Sequence, residues 1–61
     1  MTIDEAETAL KVCGCRIELR EQYWFVVHED RPDQPSSHCY VHATAIKRAW
    51  FERFGEKLVL S

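Results

Sequence analysis

The sequence predicts an α+β domain: a first helix, an antiparallel hairpin and a closing helix. Three observations carry this. An apolar stripe at helical spacing opens the chain, a period-two stretch and a strand-favouring aromatic run follow, and a second helical stripe stops at Gly55. The 61 residues form one domain, residues 1–61, because a second would have too little chain for a core. A chain of this length buries only about 60% of the surface that its unfolded form exposes. Hydrophobic residues at 46% and charged residues at 30% place it with ordinary globular domains.

The first helix is expected over residues 3–13. Thr2-Ile3-Asp4-Glu5 reads as a capping box, with the Thr2 hydroxyl and the Glu5 carboxylate each able to satisfy a free backbone N–H. Asp4, Glu5 and Glu7 also lie where the helix dipole favours negative charge. Ile3, Ala6, Ala9, Leu10 and Cys13 share a face, and Gly14 supplies the left-handed stop.

Cys15, Ile17 and Leu19 then alternate with Arg16, Glu18 and Arg20, as in a half-buried strand. Tyr23 to Val27 is rich in strand formers. The hairpin register is open at this level. A three-residue loop sets Leu19 opposite Tyr23, whereas a two-residue loop sets Leu19 opposite Trp24 and Ile17 opposite Val26. Both faces of the second strand are apolar, while the first has one polar face. Aromatic rings must therefore lie beside Arg16 and Arg20 on an open face, or another element must cover them.

Residues 29–37, with Pro32 and Pro35, read as a surface loop. Residues 38–42 are expected as a third strand with Cys39 and Val41 inward. The alternative is a longer helix starting near Ser36 or Ser37. Both readings place a helix at about 43–54, with Ala43, Ala45, Ile46, Ala49, Trp50 and Phe54 on its apolar arc and Thr44, Lys47, Arg48 and Glu52 on its wet side. Phe51 falls on that wet side. Leu58-Val59-Leu60 is expected as a short edge strand or an apolar tail.

Charge is unevenly placed. Residues 1–42 carry four Lys/Arg and eight Asp/Glu, a net of −4, while residues 43–61 carry four Lys/Arg and two Glu, a net of +2. The pI of about 5.8 argues against nonspecific nucleic-acid binding by the whole chain. No apolar run approaches the roughly 20 residues of a membrane helix. The acidic opening does not read as a secretory signal, and a cytoplasmic location is expected.

Cys13, Cys15, Cys39 and His42 offer four soft ligands, and a small zinc-stabilised domain is one alternative. The stronger expectation is that the three cysteines act as small hydrophobes and that no metal or cofactor is bound. Strand neighbours point to opposite faces, so His38 is not placed to activate Cys39. Asp30 and Asp33 sit in a proline-bearing loop rather than as an acid–base pair. The expectation is a protein without enzymatic activity. His38, Tyr40 and His42 are expected on one strand face, with His28 beside them.

Protein recognition accounts best for the remainder. Seven aromatics are many for one small core, and interfaces favour Trp, Tyr, Phe and Arg. The expected contact residues are Trp24, Phe51, Lys47 and Arg48, with the acidic loop around Asp30 and Asp33 able to mimic phosphate in a basic groove. A homodimer would also cover the surplus apolar surface. The alternative is a small nucleic-acid-binding regulator that uses the basic last helix and the sheet aromatics.

The run Thr2-Ile3-Asp4-Glu5-Ala6-Glu7-Thr8-Ala9-Leu10, then Gly14-Cys15-Arg16-Ile17-Glu18-Leu19 and Tyr23-Trp24-Phe25-Val26-Val27, resembles in layout the small accessory proteins of phages and mobile elements, anti-CRISPR-like inhibitors among them. The resemblance spans most of the chain and rests on a capped helix, a hairpin and a closing helix rather than on a signature motif. It implies a protein that occludes a site on a host protein or nucleoprotein complex, and it assigns no residue a role.

Overall fold

A computed structural model describes Met1–Ser61. Helix α1 spans Ile3–Val12, strands β1, β2 and β3 span Cys15–Arg20, Tyr23–His28 and Ser37–Cys39, and helix α2 spans His42–Phe54. The strands form an antiparallel sheet in the order β1-β2-β3. The fold is therefore α+β, with both helices packed on one sheet.

The N-terminus of α1 forms as the sequence dictates. The Glu5 N–H donates to Thr2 Oγ1 at 3.1 Å, and the Thr2 N–H donates to Glu5 Oε1 at 2.8 Å. The helix ends at Val12, with Cys13 as its C-cap and Gly14 at φ +87° turning the chain into β1. The hairpin takes the two-residue loop. Arg20 pairs with Tyr23, Leu19 with Trp24 and Ile17 with Val26. Only the first loop residue, Glu21, has positive φ, at +58°. That position favours glycine, so the chain accepts local strain to hold this register.

The register puts Trp24, Val26 and His28 on the helix side of the sheet and Tyr23, Phe25 and Val27 on the open side. Nine side chains form the core: Ala6, Leu10, Cys15, Val26, Cys39, Ala45, Ile46, Ala49 and Leu58. Ile3, Ile17, Trp24 and Trp50 pack against it while half-buried.

The last third corrects several expectations. β3 covers Ser37–Cys39 rather than 38–42. Cys39 does point inward, but Val41 is exposed and serves as the N-cap of α2 without a side-chain hydrogen bond. His42 opens the helix. Phe54 lies outside the core at 43% exposure, in tilted contact with Trp50 at a ring-centroid distance of 4.5 Å. Ala45 points at the sheet, and Phe54, nine residues on, comes half a turn round the helix from it. Leu58 is buried, but residues 58–60 form no strand and Val59 is exposed.

Arg53 joins the ends of these elements. Its guanidinium donates to both Asp30 carboxylate oxygens at 2.7 Å and to the carbonyl of Cys13. One side chain thus ties the last turn of α2 to the end of α1 and to the loop after β2. Gly55, at φ +72°, then ends α2.

Candidate functional site

The outward face of α2 gathers two cations, a hydroxyl and an aromatic ring on one surface. Residues 44, 47, 48 and 51 recur at three- and four-residue spacing, so they share the side of the helix opposite Ala45, Ile46 and Ala49. Thr44, Lys47, Arg48, Phe51 and Glu52 line an open depression there. Phe51, at its centre, is 59% exposed. Neither Lys47 nor Arg48 takes part in an ion pair, whereas Arg16, Arg20 and Arg53 all do. The face therefore offers two free cations beside an uncovered aromatic ring.

Glu52 marks where this face meets the sheet, and it is not on the wet side of the helix. It lies seven residues after Ala45 and three after Ala49, which returns it to the buried stripe. Its Oε1 lies 3.0 Å from His28 Nε2, and its Oε2 accepts from the Ser37 hydroxyl at 2.6 Å. The His28 side chain is only 2% exposed, and its Nδ1 has no hydrogen-bond partner within the chain. Both Ser37 and His28 bond to Glu52 and not to each other, so the trio is a structural clamp between α2 and the sheet rather than a nucleophile with its base.

Of the other expected contact residues, Trp24 lies apart from Phe51. It packs against the core from the helix side of the sheet, with its ring centroid 4.4 Å from that of His42. Asp30 is engaged by Arg53, whose guanidinium holds the carboxyl down at about 2. Asp33 stays exposed in the loop. Lys47, Arg48 and Phe51 are thus the three that the fold brings together.

The histidines do not share one face. His28 is buried under α2, His42 bonds Glu7 at 3.2 Å, and only His38 joins Tyr40 on the open side. Tyr23, Phe25, His38 and Tyr40 form an aromatic cluster on that side, with ring centroids 5.0–6.4 Å apart. Arg20 sits over Phe25 at 5.5 Å. A ring therefore does lie beside Arg20, whereas Arg16 faces Val27, and Glu18 forms ion pairs with both arginines. No three His, Cys, Asp or Glu side chains converge to hold a metal ion. Cys13, Cys15, Cys39 and His42 are not gathered into a ligand set. Burial pushes the Cys15 thiol up to about 11, which suppresses its thiolate.

No family model, curated protein or solved structure matches the chain at a significant level. No helix is long and apolar enough to cross a membrane.

Proposed function

We propose that this chain is a non-catalytic protein-binding module, an accessory factor of the phage or mobile-element type that occludes a site on a host protein or nucleoprotein complex. The observation that carries the reading is the outward face of α2, where Phe51 is exposed between Lys47 and Arg48 and neither cation has an acidic neighbour in an ion pair. An aromatic anchor next to arginine is the usual composition of an interface hot spot. Unpaired cations on an otherwise acidic chain select an acidic partner surface and speed its encounter. The folded chain leaves this set uncovered after its own core is complete.

The nucleic-acid reading draws on the same two cations and on the open aromatic cluster. It is the weaker one, because Glu18 neutralises Arg16 and Arg20 on the face that carries those rings.

The test is affinity capture from a bacterial lysate with the native chain, Phe51→Ala and the double variant Lys47→Glu/Arg48→Glu, with folding checked by circular dichroism. One dominant protein partner, held about tenfold or more weaker by each variant, is the expected result. Capture that is indifferent to both variants removes α2 as the site. Salt-sensitive binding of purified DNA or RNA, lost in the double variant, replaces this reading with the nucleic-acid one.

A further inference from the structure

Thr44, Lys47, Arg48 and Phe51 fall at i, i+3, i+4 and i+7 along α2. These are the four corners of the hole that receives one side chain from a facing helix. Thr44 and Phe51 are its ends, about 10.5 Å apart along the axis at a rise of about 1.5 Å per residue. Lys47 and Arg48 are its two sides. The Thr44 methyl group, the lysine and arginine stems and the Phe51 ring give it apolar walls, and the two cationic heads stand at its rim. Glu52 is the only acidic residue of α2 within four positions of either cation. It follows Arg48 by four residues, a spacing at which opposite charges meet on a helix. His28 and Ser37 occupy both oxygens of its carboxylate, and Arg48 is left without an ion pair.

We infer, resting on the reading of α2 as the binding face, that the occupant of this hole is an acidic amphipathic helix of the partner protein. One apolar side chain of that helix seats between Thr44 and Phe51, and carboxylates on its two flanks meet Lys47 and Arg48. The hole sets the form of the occupant, and the two free cations set its charge. A second copy of this chain does not fit. Packed against its own copy, α2 sets Lys47 and Arg48 against the same two cations. On α1 the large exposed apolar residue is Val12, at 84%. Its neighbours on that helix are Thr8, Ala9 and Lys11, so it brings a cation and no carboxylate to the rim.

Fluorescence anisotropy on the full chain tests it with three peptides of about 15 residues. The first is a helix, stapled because isolated helices of that length are marginal in water, with one leucine and a glutamate three residues before and three after it. The second is the same stapled helix with lysine for both glutamates. The third is the glutamate sequence unstapled and broken by a proline beside the leucine. The stapled glutamate helix is expected to bind about tenfold or more tighter than either of the others. Phe51→Ala should weaken it about tenfold or more. Lys47→Glu/Arg48→Glu should exchange the preference, so that the lysine helix becomes the tighter ligand. Equal binding of the stapled and broken glutamate peptides overturns the helical occupant, and equal binding of the glutamate and lysine helices overturns its charge. Absence of binding by the stapled glutamate helix overturns both. A captured partner that still depends on Phe51 would then keep α2 as the site and lose only the acidic helix, whereas capture indifferent to the α2 variants removes the site itself.

Discussion

The two faces of the sheet are built from alternate residues of the same strands, yet they use opposite chemistry. The helix side carries Cys15, Val26 and Cys39 packed under Ala45, Ile46 and Ala49, small or branched side chains that let the layers approach closely. Its polar content is the His28–Glu52–Ser37 clamp. The open side carries the large rings, Tyr23, Phe25, His38 and Tyr40, beside Arg16, Glu18 and Arg20. A domain this short places much of its aromatic mass outside its core. The difference teaches where its stability resides: in the fit of small residues beneath α2, with Trp24 and Trp50 packed at the margin, and not in the rings of the open side.

The sharpest way to break the helix side is to remove its clamp. Glu52→Ala leaves His28, 2% exposed at its side chain, with neither ring nitrogen bonded, and releases Ser37. Buried polar groups stripped of partners cost about 1–3 kcal/mol each, so a loss of about 3 kcal/mol is expected in urea unfolding. A loss below about 1 kcal/mol would show that water enters and replaces the carboxylate. Val26→Ala follows at about 2 kcal/mol, since Val26 is fully buried and its truncation forfeits transfer energy and opens a small cavity.

The Arg53 junction responds to pH. Asp30 ordinarily titrates at 3.8 and in the folded chain near 2, chiefly because it accepts hydrogen bonds from Arg53. A depressed carboxylate stabilises the fold fully above its unfolded value and loses that contribution as pH falls through its folded value. The native chain should therefore lose stability between pH 3.8 and about 2, and Asp30→Asn should flatten that part of the profile. Denaturant midpoints measured above and within the window check it. Equal slopes for the two proteins would detach Arg53 from acid stability.

Much of this fold is legible in the chain because each early element has one dominant local signal. Thr2 and Glu5 cap α1, Gly14 and Gly55 stop the helices, and the alternation from Cys15 to Arg20 names the buried side of β1. Legibility fails where two residues of one type compete. Tyr23-Trp24-Phe25 is aromatic on both faces, so only the geometry of the Glu21-Gln22 loop decides that Trp24 turns inward, away from Phe51. On α2 an apolar arc wide enough to include Phe54 hides the true direction of burial. The seven-residue interval from Ala45 to Glu52 was the signal that a carboxylate, and not a ring, lies on the buried stripe. A half-buried Glu needs a partner, and that partner, His28, is distant in sequence and so was not visible in local spacing. Lys47, Arg48 and Phe51 were legible together because helical spacing alone unites them. Asp30 was legible as an acidic loop residue, but its capture by Arg53 depends on the tertiary meeting of the loop after β2 with the last turn of α2.

The gentlest probe is Phe25→Ala, one residue from Val26 and on the other face. Phe25 opposes Glu18 across β1 and His38 across β3, and it lies 5.8 Å from the His38 ring and 5.5 Å beneath Arg20. Cross-strand contacts of this kind contribute about 0.2–1 kcal/mol each, and the ring is half-buried and rests on no helix. A loss of about 0.5–1 kcal/mol in urea unfolding is therefore expected, clearly below that of its neighbour Val26. Equal losses at the two positions would mean that the open cluster acts as a second small core, and the division of labour between the faces would have to be redrawn.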